Sequence, residues 1–152
     1  MKKTRTTLGP MLVAALVFSV AAASVNVRAS DKQGSMGLRS VMEKLGRDMQ
    51  SVTDAISMED WAMVGELSPG IARHDEPPAM EKVRILRWIG SDVGKFRAFD
   101  ARVEEAADAM GAAAVRGEGS EVIQRFSEVQ QACLGCHQQF RRPFVEHFYD
   151  QR

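Results

Sequence analysis

Cys133-Leu134-Gly135-Cys136-His137 is the stretch whose residue types and spacing could carry chemistry. The pattern Cys-x-x-Cys-His is the attachment site of a c-type haem. Each thiol would add to one vinyl group of the macrocycle, and two intervening residues match the separation of those vinyls. The imidazole that follows would reach the iron as a neutral proximal ligand. Two other uses of the motif are open. A local disulfide or thiol redox pair is one, although its thioredoxin-like form needs a βαβ context that the chain does not display. A structural zinc site is the other, but it wants four ligands and only His74 and His147 remain as further soft donors. Cys133 and Cys136 are the only cysteines, so no other bridge competes for them.

The segment before this motif reads as helix. Leu38, Met42, Leu45, Met49, Val52 and Ile56 alternate by four and three, which lays one apolar stripe along a helix at roughly 35–56. Ser57 followed three residues later by Asp60 resembles a capping box for a second helix carrying Trp61, Val64 and Leu67. Pro69-Gly70 is expected to kink or end that helix, and Pro77-Pro78 marks a loop. Met80, Val83, Leu86 and Ile89 suit a short helical turn region. Asp92 is placed to cap a third helix with Phe96, Phe99, Val103, Ala106, Met110 and Ala113 in line. Gly117 and Gly119 break the chain. Ser120 then opens a fourth helix with Val122, Phe126, Val129, Cys133, Cys136 and Phe140 on one face, and Pro143 is expected to limit it. Four amphipathic segments with mostly short breaks predict an all-α, antiparallel four-helix bundle with a covalent haem near the C-terminus.

The N-terminus has a different character. Lys2, Lys3 and Arg5 precede an apolar stretch from Met11 to Ala23, and small residues lead to Val27-Arg28-Ala29. This is the three-part pattern of a secretory signal peptide, with cleavage expected after Ala29 and Ala23 as the alternative site. An uncleaved anchor would need about 20 apolar residues, more than this run supplies. Residues 1–29 are thus expected to be removed, leaving 30–152 as one domain exported to the periplasm, with no stable membrane insertion. Export fits the motif, because haem is attached to such sites outside the cytoplasm.

The resemblance of the C-terminal region narrows the family. Val129-Gln130-Gln131-Ala132-Cys133-Leu134-Gly135-Cys136-His137-Gln138-Gln139-Phe140-Arg141 closely resembles the C-terminal signature of class II c-type cytochromes, the cytochrome c′ and cytochrome c-556 type proteins. Trp88-Ile89-Gly90-Ser91-Asp92 with Phe96 looks like that family's entry to its third helix. The resemblance implies one haem c within the bundle, against the first and last helices. It also implies that function turns on the sixth iron position. Low-spin members place a first-helix methionine there and carry electrons, whereas cytochrome c′ places an apolar residue there and binds nitric oxide or other small gases. Leu38-Arg39-Ser40-Val41-Met42 is similar to the low-spin pattern, with Met42 at the ligand position and Met36 and Met49 as alternatives. Two departures are visible: Ser40 stands where relatives have Gln, and the offset to the methionine is one residue shorter than in some of them. A core-filling role for Met42, on the apolar stripe, is the competing reading. Arg141, four residues after His137, and Arg39 are candidates to pair with haem propionates.

Composition excludes several other functions. The chain has 152 residues with 20 basic and 20 acidic side chains, which argues against a dedicated nucleic-acid binder. Removing 1–29 leaves 16 basic against 20 acidic residues, a net charge of −4 suited to a basic redox partner protein. No catalytic turnover is expected. His74, beside Asp75 and Glu76, reads as part of a helix end rather than a metal site, and His147 as a residue at or near the surface. Monomer and homodimer both stay open, although Glu43, Arg47 and Asp54 make the outer face of the first helix a poor apolar interface.

Overall fold

A computed structural model describes residues 37–149. The expected signal segment and Met36 lie outside the described residues. The elements are α1 (Gly37–Ser57), α2 (Trp61–Ala72), α3 (Ala79–Ile89), a 3-10 turn (Gly90–Asp92), α4 (Val93–Val115), α5 (Gly119–Cys136), a π turn (His137–Arg141) and α6 (Arg142–Phe148), with no strand among the described residues. α1, α2, α4 and α5 form the four-helix bundle, with α4 packed against both α2 and α5, and α1 against α2 and α5. Three-residue turns join α1 to α2 and α4 to α5, which makes each pair antiparallel neighbours.

The two turns show why the helices stop where they do. Glu59 adopts a positive φ of 56° between α1 and α2. The expected capping box moves by one element. Ser57 closes α1 by donating its hydroxyl to the Thr53 carbonyl at 2.8 Å. Asp60 is the N-cap of α2, accepting from the Met63 N–H at 3.0 Å. At the end of α4, Gly117 takes a φ of 70°. The Glu118 N–H then reaches the Ala113 carbonyl at 3.1 Å and the Gly117 N–H reaches that of Ala114 at 2.9 Å, closing a Schellman motif.

Both proline expectations are corrected. α2 runs through Pro69 to Ala72, because Ser68, Ile71 and Ala72 are buried against the bundle while the Pro69 ring faces solvent. Pro143 does not end the last helix. The π turn widens the backbone at 137–141, and Pro143 then sits in the first turn of α6, where its missing N–H costs little. Asp92 also differs from expectation, since its carboxylate caps no helix N–H and pairs with Lys95 at 2.9 Å.

The apolar side chains gather in two clusters. The first joins α1, α2, α4 and α5 through Val52, Val64, Ile71, Ala107, Met110, Val122 and Val129, all essentially inaccessible to water. Alanines at 106, 107, 113 and 114 let α4 approach its neighbours closely. Gly111 does the same toward α2, where a methyl group would lie 2.9 Å from the Ser68 Cβ. The second cluster joins α3, the start of α4, the π turn and α6. Ile85, Ile89 and Phe140 are buried there, with Leu38, Trp88, Val93, Phe96, Phe99, Cys136, Phe144, Phe148 and Tyr149 packed on them.

α3 is a full helix, not only a turn, and its inward face is not the expected one. Met80 and Val83 are exposed, while Glu81, Ile85, Trp88 and Ile89 share a face at helical spacing. The cause is Glu81. Its carboxylate accepts from the Gly37 and Leu38 N–H groups at 2.7 and 2.8 Å, capping α1 from another element. Turning Glu81 inward forces Met80 and Val83 outward.

Candidate haem site

The Cys133–His137 motif lies at the end of α5 and the start of the π turn, on the boundary between the two clusters. Cys133 packs on the first and Cys136 on the second. Both thiols are free and half-buried. Burial pushes the Cys136 thiol up to about 11, with smaller contributions from Cys133 and Asp100, and burial raises Cys133 as well. His137 is exposed as a residue, yet the protein around its ring and, secondarily, the Arg141 charge hold its pKa below the usual histidine value. Its imidazole is therefore neutral at pH 7, with a lone pair available to a metal. Gly135 between the cysteines is required by a neighbour, because a Cβ there would lie 2.6 Å from the Phe99 ring. Phe99 and Phe96 meet Phe140 edge-on, with centroids 6.4 and 5.6 Å apart.

The first helix reaches the same cluster. Leu38 packs into it, and Arg39 lies over the Tyr149 ring, its guanidinium 5.9 Å from the centroid. Arg39 also pairs with Glu43 at 3.0 Å on the surface. Met42, one turn beyond Leu38, is 39 % exposed and belongs to neither cluster. The competing role as core filler is thereby corrected. The buried position beside it is Val41. Met49, in contrast, packs on the first cluster and Met110 is fully buried in it. Arg141 stands close enough to His137 to act on its charge, as their spacing implied.

α6 adds residues that the sequence reading did not single out. Phe144 and Phe148 pack around Trp88, 5.7 and 5.6 Å from it, and His147 stacks on the same indole at 5.7 Å. The Tyr149 hydroxyl is buried and has no hydrogen-bond partner among the described residues. The spacing Phe140, Phe144, Phe148 is the signal that could have found this extension, had Pro143 not been taken as a stop. His74 stays structural. Its Nδ1 donates to the Ile71 carbonyl at 3.2 Å at the end of α2, and its Nε2 lies 3.4 Å from Asp100. Among the described residues no group of three or more His, Cys, Asp and Glu side chains is gathered to hold a metal ion.

Residues 73–141, from the end of α2 through the π turn, match the family described as Cytochrome C′. The match over this segment supports a class II c-type cytochrome. Comparison with curated proteins and with solved structures returned no match. Members of this family use a haem c, and the residues present fit one. Two thiols, a neutral imidazole, an aromatic surround, an unpartnered buried hydroxyl and two nearby arginines are the donors such a cofactor takes. Among the described residues no helix is long and apolar enough to cross a membrane.

Proposed function

We propose that this class II cytochrome is exported to the periplasm, binds one haem covalently through Cys133 and Cys136, and carries single electrons with His137 and Met42 as axial ligands. The observation that carries the reading is the placement of Met42. It follows by one turn a leucine that packs on the same cluster as Cys136, and its side chain has no core role that would explain it. A thioether ligand opposite imidazole raises the reduction potential, which suits an electron carrier. Haem, when bound, supplies the one-electron ferric/ferrous couple. The chain supplies the rest. His137 presents a neutral nitrogen, Phe96, Phe99 and Phe140 exclude water, and Arg39 and Arg141 offer charge to propionates. The proposed role is that of a carrier rather than an enzyme.

The test is the optical spectrum of the purified ferric and ferrous protein, before and after carbon monoxide. A weak far-red thioether-to-iron band with no response to carbon monoxide supports the carrier. Broad high-spin bands that shift with carbon monoxide would make the protein a five-coordinate gas binder. Haem that stays with the protein in acid-acetone supports thioether attachment, and haem that extracts contradicts it.

A further inference from the structure

The charges of the molecule divide along the same line as its two clusters. The segments that build the aromatic cluster, 37–44, 79–102 and 137–149, hold ten Lys or Arg against five Asp or Glu. The segments that build the other cluster, 45–72 and 103–136, hold three against eleven, and the loop 73–78, whose Glu76 pairs with Lys82 of α3, holds one against two. A net charge of −4 therefore hides a basic end and a strongly acidic one. α4 joins them and is about 35 Å long at 1.5 Å per residue, several times the roughly 8 Å screening length of physiological salt. Charges at opposite tips of α4 are therefore largely screened from one another.

Ion pairing sharpens the division. Arg84, Arg87, Arg97, Arg102 and Arg141 are all exposed and make no salt bridge among the described residues. In the acidic segments only Arg47 is left so. Two of the five are held against rings: the Arg84 guanidinium lies 5.6 Å from the Phe148 centroid and that of Arg102 lies 5.0 Å from Phe99. Rings that hold a guanidinium still leave its N–H groups for an external acceptor.

We propose that this basic surface, around the cluster that contains Cys136, docks an acidic protein partner. The inference rests on the proposed electron-carrier reading and reverses the partner charge that the net charge suggests. Planar guanidiniums match carboxylates through paired hydrogen bonds, which favours an acidic protein over a lipid surface.

The holoprotein is titrated with poly-L-glutamate, followed by tryptophan fluorescence, in 10 and 150 mM salt. Binding at low salt that weakens by about tenfold or more at high salt supports the proposal. The quadruple variant R84Q/R87Q/R97Q/R102Q should lose that binding, while Arg47→Gln should keep it. A variant protected from folding failure is not needed for the second readout, the oxidation of the ferrous wild-type protein by hexacyanoferrate(III). That anion takes one electron from the iron and becomes hexacyanoferrate(II), and its rate should fall as salt rises. A rate that rises with salt, no binding to poly-L-glutamate, or binding only to phosphatidylglycerol vesicles overturns the proposal. Iron spin state is read separately, so a five-coordinate spectrum would revise the function without moving these salt slopes.

Discussion

The two apolar clusters of this small bundle are built by opposite rules. One is made of valines, alanines, an isoleucine and a methionine carried on four long helices, with its central members at zero or one per cent exposure. The other is mostly aromatic, drawn from short elements and helix ends, with only three members buried and the largest rings partly open. Small, fully buried side chains let helices approach closely and supply stability. Half-covered rings beside a Cys-x-x-Cys-His motif supply a flat, apolar surround for a cofactor. The motif lies on the line between them, one cysteine in each. The packed bundle core and the candidate haem surround thus occupy different parts of the molecule.

Substitutions that fall in one cluster only are the way to break this comparison. Met110→Ala removes a fully buried side chain from the first cluster and should cost about 2–5 kcal/mol in denaturant unfolding. The haem spectrum should stay the same; a changed spectrum would mean that the clusters are not independent. Gly135→Ala acts at the other end. Its methyl would meet Phe99 at 2.6 Å, so the ring must move, at a cost of about 1–3 kcal/mol and with a visible change in the haem bands. Glu81→Ala strips α1 of its cap and should cost about 1 kcal/mol in chemical unfolding. Because that cap also anchors the helix bearing Met42, the reduction potential should shift with it. The smallest effect belongs to Arg142→Ala, which breaks only the exposed pair with Glu146 and should change stability by less than about 0.5 kcal/mol.

The two ends were also unequally legible in the sequence. In α4 and α5 the stripes Val103, Ala106, Met110, Ala113 and Val122, Phe126, Val129, Cys133 fall where periodicity places them, because long helices facing a common core must repeat. Cys133, Cys136 and His137 were marked by spacing alone. The aromatic end was harder to read. α3 owes its orientation to Glu81 reaching another helix 43 and 44 residues away in sequence, which no local pattern contains. Pro69 and Pro143 obeyed tertiary packing and a π turn, not their usual role as breakers. Met42 follows the opposite course: its place on the apolar stripe suggests burial, yet Val41 beside it takes the buried position and Met42 is exposed.

The proposal most in need of a test is that Met42, exposed on α1, would hold the haem iron together with His137. The most direct measurement is the ferric and ferrous spectrum of Met42→Leu beside that of the wild-type protein. The account predicts that the variant loses the far-red thioether band, becomes high-spin and gains a response to carbon monoxide. A variant that stays six-coordinate and low-spin, with an unchanged reduction potential, would contradict it.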